Sequence, residues 1–336
     1  MAETPVNILR ASHVEYRVAD LERSRHFYCD LMGFVETARD DNHLYLRGIE
    51  DRMHHSLVLT RAISPGVVHA AFRVASEGDL TAAAALAERH QLWHRWVEPG
   101  TERGVGRALR LMDPFGFPLE LVHQVEPAEW QLQAYAAYRG AAVMRLDHVN
   151  FVTPHIDRAA RWYMEALQFQ NSECTVSRDP VSGEERMWGA WLRRKQTSHD
   201  LAISNGRGPR IHHAAFIAHS TETLLHAADV LASAGHFENL ERGPGRHGTT
   251  NAFFLYVRDP DGNRFELFTG DYLVADPDWP TVKWDLNDPR RATFWGAEAP
   301  PRWFNEAMGA YSWETGEPGA LEEPTLPDRP ASVSQR

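Results

Sequence analysis

The stretch DHVNFVTPHIDRAARWYMEALQF, residues 147–169, decides the fold because the chain contains it twice. Its counterpart, SHVEYRVADLERSRHFYCDLMGF, covers residues 12–34. Each reads as a short alternating strand, a loop and then a helix with apolar residues at helical spacing. Further pairs follow in the same order: VHAAFRV (68–74) beside HHAAFIA (212–218), and LRLMDPFGFPLELV (109–122) beside LYVRDPDGNRFELF (255–268). The last two predict hairpins around an Asp-Pro-x-Gly turn, in which Pro presets the backbone and Gly relieves it. Ala-rich residues 81–90, and residues 222–234, predict a second helix in each half.

Repetition within repetition predicts an α+β fold of tandem βαβββ modules, two per half, forming two domains that each carry a curved mixed sheet. The expected divisions are an N-terminal domain at 1–127, a linker helix at 128–142 and a second domain at 143–271. Beyond that the pattern stops. Residues 272–313 hold Trp279, Trp284, Trp295, Trp303 and Trp313 among many prolines and predict an irregular tail, serving as lid or interface. Residues 314–336 are rich in Pro, Glu and Ser and predict disorder.

The bulk properties narrow the function classes. A chain of 336 residues suits two domains. With 35 basic against 46 acidic residues and a net charge of −11, it is poorly suited to gripping nucleic acid or an anionic membrane. A small acidic substrate remains compatible, because a few local arginines outweigh the global field at short range. Two cysteines far apart, Cys29 and Cys174, form neither a disulfide framework nor a zinc cluster and read as buried thiols in a reducing compartment. The N-terminus shows no signal-peptide pattern, and no run approaches a membrane span. A soluble cytoplasmic protein is expected.

His148, His213 and Glu266 each sit on a predicted strand of a repeated unit. They are 65 and 53 residues apart, so only strands side by side in one sheet bring them together. Two imidazoles and one carboxylate on one face leave half an octahedron open, which suits Fe(II) or Mn(II) with a substrate and dioxygen bound together. At His212-His213 only one side chain faces inward, and the repeat selects His213. A turn centred on Asp261 pairs 256 with 266 and sets Tyr256 beside Glu266. The first half carries the same residue types at His13, His69 and Glu120. There the turn pairs 110 with 120, and a cation at Arg110 beside Glu120 opposes a divalent ion. Position 15 is Glu where the second half has Asn150. The first-half set is therefore expected to be a degenerate copy without metal.

At these residues the chain resembles the type I extradiol ring-cleaving dioxygenases of the vicinal oxygen chelate superfamily, over roughly residues 8–310. The segments that carry the likeness are LDHVNF (146–151), WGAWLRRK (188–195), HDLAISNGRGPRIHHAAF (199–216), ERGPGRHGTTNAFFLYVRDPDGNRFELF (241–268) and PRRATFWG (289–296). The resemblance implies a metal held by His148, His213 and Glu266, with Fe(II) first and Mn(II) as the alternative, and dioxygen as cosubstrate. It implies that His199 is the acid–base residue, that Tyr256 bonds the substrate, and that Asn150 and Trp191 shape the pocket. Arg242, His247 and one or both of Arg290 and Arg291 would hold an acidic side chain. The implied reaction inserts both oxygen atoms into a substituted catechol, with 3,4-dihydroxyphenylacetate the best candidate, to give a hydroxymuconic semialdehyde. Relatives form homotetramers. A glyoxalase-like isomerase or lyase on the same fold is the alternative, as is another catechol or a hydroxylated heteroaromatic ring.

Overall fold

The computed structural model of the chain describes residues 5–179, 181–324 and 326. Each half is a βαβββ unit followed by another. In the first half, strand Ile8–Val18 leads through a helix at Leu21–Arg25, which widens into a π turn at His26–Leu31, to strands Val35–Arg39, His43–Arg47 and Leu57–Arg61. Strand Gly66–Val74, helix Glu77–Arg89 and strands His94–Val97, Ala108–Met112 and Pro118–Val122 complete it. The second half repeats the order from strand Arg145–Thr153 to strand Arg264–Thr269. The second helices are also capped alike. The Asp79 amide donates to Ser76 Oγ, and the Thr223 amide to Ser220 Oγ, satisfying a first-turn donor that a helix leaves open.

Both sheets are mixed. In the first, Ile8–Val18 lies between Leu57–Arg61, parallel to it, and Gly66–Val74, antiparallel to it, and Gly66–Val74 in turn borders Pro118–Val122. In the second, Arg145–Thr153, Arg210–Ile217 and Arg264–Thr269 are consecutive neighbours. Both hairpins have the anticipated register, with Arg110 opposite Glu120 and Tyr256 opposite Glu266.

The two halves pack closely against one another. One contiguous apolar core runs through both. Phe117 stacks on Phe151 with centroids 4.2 Å apart, and Phe34 meets Phe216 edge-on at 4.9 Å. Tyr16 Oη accepts from the Ala214 amide and donates to the Arg264 carbonyl, both at 3.0 Å.

Two expectations need correction. The linker helix at 128–142 does not form; the segment holds only a 3-10 turn at Tyr135–Ala137. An isolated helix of that length is marginal in water, and here Trp130 and Tyr135 stay exposed and bury no apolar face that would stabilise one. Gly140 adopts a φ of +48°, and a Cβ there would meet the Leu31 carbonyl. The disorder expected from 314 also fails for residues 314–324. Glu322 and Gly208 exchange both backbone hydrogen bonds, the Gly319 amide donates to the Ala310 carbonyl, and Arg207 pairs with Glu323 at 2.8 Å. Polar composition did not prevent order because the partners are backbone groups of the fold. Residues 325 and 327–336, also expected to be disordered, lie outside the described residues. Both cysteines are free and buried. Among the described residues no helix is long and apolar enough to cross a membrane.

Candidate metal centre and substrate pocket

Three neighbouring strands bring His148, His213 and Glu266 to one point. Register places Ala215 between His148 on one side and Glu266 on the other, with His213 two residues along the same face. Glu266 Oε2 lies 3.4 Å from His148 Nε2 and 3.1 Å from His213 Nε2. One ligand atom from each of the three falls within 4.8 Å of the others, and all three residues are buried. Burial alone would raise the Glu266 carboxyl, but the two imidazoles hold it far below the usual range. A carboxylate kept charged between two inward-facing nitrogens fits a divalent ion. His148 Nδ1 is 3.0 Å from Asp147 Oδ2, the carboxylate–imidazole contact that orients a metal-ligating histidine. His212 borders the same cleft but aims its Nε2 at the Trp303 carbonyl, 2.9 Å away, and not at the three ligand atoms.

Above these residues opens a cleft of about 960 Å³, mouth included. His199 lies against His148 with ring centroids 3.8 Å apart and planes tilted by 39°, and its Nδ1 meets Ser198 Oγ at 2.6 Å. Burial, then the charge of His148, drives the His199 imidazole well below its ordinary value, so it is neutral near pH 7. Tyr256 Oη lies 3.1 Å from His247 Nε2. His247 stacks on Phe254 at 3.9 Å, and burial, followed by the charge of Arg242, lowers it to about 3. Asn150 and Trp191 line the cleft, and Ser204 Oγ contacts Asn150 Oδ1 at 3.4 Å.

The four basic residues separate. Arg291 lines the cleft, 5% exposed, with its guanidinium carbon 5.1 Å from the Trp188 ring centre. Arg242 stands in the wall behind. Its Nη2 donates to the Ala292 carbonyl and Thr293 Oγ1, and Phe254 and Trp303 flank its guanidinium. Arg290 does not join them. Its side chain is 67% exposed and forks onto Asp288 at the start of the short helix Pro289–Ala292. Adjacent residues on one helical turn point about 100° apart, so only one of Arg290 and Arg291 can face the cleft.

Sequence reasoning did not find several lining residues: Trp188, Thr249, Thr250, Trp303 and Phe304. Thr250 adopts a left-handed φ of 63°, costly for a β-branched residue. Its amide donates to Glu173 Oε1 at 2.8 Å, and Glu173 also accepts from Tyr272 Oη and Trp284 Nε1. The buried Glu173 thus fastens the tail to the cleft loop. The aromatic richness of the tail hinted at Trp303 and Phe304; nothing in the sequence singled out Trp188, Thr249 or Thr250.

Residues 10–121 and 145–267 match the model of the Glyoxalase/Bleomycin resistance protein/Dioxygenase superfamily. The chain belongs to that superfamily. Within it, a manganese-dependent 2,3-dihydroxybiphenyl 1,2-dioxygenase of Geobacillus genomosp. 3 is 32% identical over 88% of this chain and 96% of its own. A metapyrocatechase of Geobacillus stearothermophilus is 29% identical over 89% and 93%. The structure of homoprotocatechuate 2,3-dioxygenase from Brevibacterium fuscum, in complex with 3,4-dihydroxyphenylacetate, superposes with a TM-score of 0.90 at 36% identity, covering 96% of this chain and 99% of that one. Like these superfamily members, the chain is a metal-dependent extradiol ring-cleaving dioxygenase.

Proposed function

We propose that this extradiol dioxygenase opens the ring of a catechol bearing an acidic side chain, with 3,4-dihydroxyphenylacetate as the substrate. The observation that carries the reading is a pair of buried cations beside the centre. Arg242 and Arg291 are 3% and 5% exposed, and neither makes an ion pair among the described residues. Arg242 Nε and Nη1 and Arg291 Nε are buried donors with no acceptor. Buried unpaired guanidinium groups are costly, and burial first lowers both to about 10. A carboxylate entering the cleft supplies the missing charge and acceptors. The Brevibacterium fuscum complex supports the same side chain.

His148, His213 and Glu266 would hold the divalent metal, Fe(II) first and Mn(II) as the alternative that the Geobacillus relative favours. Bound there, such an ion would supply the Lewis acidity that makes the catechol hydroxyls more acidic and the redox chemistry that the reaction with dioxygen needs. The other steps fall to the side chains. Neutral His199, its Nδ1 fixed by Ser198, accepts a proton at Nε2 and returns it as the ring opens. Tyr256 Oη donates to His247 Nε2, because His247 Nδ1 donates to the Ala292 carbonyl; its hydroxyl proton would turn to the substrate oxygen when substrate enters. Asn150 and Trp191 bound the ring, and Arg291, backed by Arg242 and His247, orients the carboxylate. Two unpaired thiols support a reducing cytoplasmic location, and the resemblance supports a homotetramer, which light scattering measures.

The test is oxygen uptake and formation of a yellow ring-fission product by protein reconstituted with Fe(II) or with Mn(II). Substrates are 3,4-dihydroxyphenylacetate, 4-methylcatechol and 2,3-dihydroxybiphenyl. A preference for the acidic catechol is expected. A preference for the biphenyl would transfer the reading to an aryl-substituted ring seated on Trp188, Trp191 and Phe304. No oxygen uptake with any catechol would end the proposal.

A further inference from the structure

The first-half residues that the sequence marked as a degenerate copy converge as tightly as the second-half set, and a fourth donor joins them. His13, His69, Glu102 and Glu120 each place a ligand atom within 4.8 Å of the others, all buried. His13 Nε2 lies 2.9 Å from His69 Nε2, 3.1 Å from Glu102 Oε1 and 3.4 Å from Glu120 Oε2; His69 Nε2 is also 3.4 Å from Glu120 Oε2. Two imidazole nitrogens facing one another at that distance leave room for at most one proton between them. Glu120 is 0% exposed, and its Oε2 has no hydrogen-bond partner although it is aimed at both nitrogens.

Arg110 was the argument against an ion, and its geometry removes that argument. Its Nε donates to Glu120 Oε1 at 2.6 Å and its Nη2 to Glu102 Oε2 at 3.3 Å. It holds the outer oxygen of each carboxylate and leaves the inner one pointing at the imidazoles. It stands where Tyr256 stands in the second half, on the strand position opposite the glutamate. Around them, Glu15 Oε2 lies 3.2 Å from His69 Nδ1, an ion-pair distance without hydrogen-bond geometry, and His55 Nε2 lies 3.0 Å from Glu102 Oε1, the inner oxygen it shares with His13. Glu15, Glu102 and Glu120 against Arg110 leave two negative charges in a buried site when the imidazoles are neutral. One divalent cation cancels them.

We propose that His13, His69, Glu102 and Glu120 form a second divalent transition-metal site. Two nitrogen and two oxygen donors suit Zn(II), Mn(II) or Fe(II). Four protein donors close the site, and Trp313 from the tail lies 5.3 Å from the His69 ring and 4.2 Å from the Arg110 guanidinium carbon. The site is therefore structural: it pins three strands of the first sheet to the loop that carries Glu102. It does not depend on the catalytic assignment.

The experiment is an equilibrium titration of metal-free full-length protein with Mn(II), reading free Mn(II) by electron paramagnetic resonance, and with Zn(II), counted by elemental analysis after desalting. Two equivalents are expected for the wild type, one for His213→Ala, one for Glu120→Gln or Glu102→Gln, and none for His213→Ala combined with Glu120→Gln. Thermal unfolding of His213→Ala alone gives a second measurement, free of first-half substitutions. Its midpoint is expected to rise by roughly 5 °C with metal in hundredfold excess over Kd. A wild type that binds one equivalent, lost in His213→Ala, overturns the second site and leaves the catalytic centre intact. A single equivalent lost in Glu120→Gln but kept in His213→Ala upholds the first-half site and overturns the catalytic assignment. Two equivalents that both survive Glu120→Gln and Glu102→Gln overturn the proposal.

Discussion

The Tyr163 hydroxyl donates to Asp113 Oδ2 at 2.7 Å, joining a helix of the second half to the hairpin turn of the first. The Tyr28 hydroxyl answers it by donating to Asp259 Oδ2 at 3.1 Å, from the first half to the second. All four residues are buried, and each aspartate belongs to an Asp-Pro-x-Gly turn. The halves are locked reciprocally through equivalent positions of the repeat. Tyr163→Phe leaves a buried acceptor unpaired and is expected to cost about 1–3 kcal/mol. Calorimetry should show one lowered transition for the whole chain. Two separated transitions would mean that the halves unfold independently and that the lock is incidental.

His199→Phe is expected to keep metal and substrate binding while turnover falls by about 10²–10⁴-fold, the usual contribution of a general acid–base group. Metal analysis, substrate titration under anaerobic conditions and steady-state kinetics separate the terms. Unchanged kcat would remove His199 from the reaction.

Arg291→Ala should raise KM for 3,4-dihydroxyphenylacetate by about 10-fold or more, since a hydrogen bond between charged groups contributes about 1.5–3 kcal/mol. It should barely alter KM for 4-methylcatechol, which has no carboxylate. Arg290→Ala should change neither, because Arg290 is turned to solvent and held by Asp288. Equal effects of the two substitutions would show that the exposed arginine reaches the substrate after all.

Acid stability should depend on Glu241. Burial would raise its carboxyl, but hydrogen bonds from Arg264 and Arg258 hold it at about 2 instead of 4.5. Arg264 donates to both of its oxygens, at 2.5 and 2.8 Å. A depressed carboxyl stabilises the fold fully above its unfolded value, and the stabilisation fades as pH falls from about 4.5 toward 2. The contribution at neutral pH is of the order of ~3 kcal/mol. Glu241→Gln should lower denaturant stability at pH 7 and flatten its slope between pH 4.5 and 2.5. An unaltered slope would assign acid unfolding to other groups.

The sequence disclosed whatever the repeat duplicates. The strand–helix order, the 110–120 and 256–266 pairings and the convergence of His148, His213 and Glu266 all follow from period-two alternation and two hairpin turns. What it concealed lies outside the repeated units or depends on rotation about a single backbone. Glu102 sits on a loop between strands His94–Val97 and Ala108–Met112, where no periodicity marks an inward carboxylate. Arg290 and Arg291 are neighbours, and helix phase alone decides which meets the cleft. Residues 128–142 have helix-forming composition, yet no tertiary face was available to stabilise the helix. The reciprocal tyrosine–aspartate lock was visible as four repeated letters, but not as contacts between halves.

Trp303 and Phe304 border the cleft from a segment that belongs to neither repeat. The duplicated sheets fix where His148, His213 and Glu266 converge. The tail side of the cleft is bounded by an appendage outside that duplication. Substrate choice could therefore diverge by exchange of the tail as a cassette, leaving the reacting centre untouched.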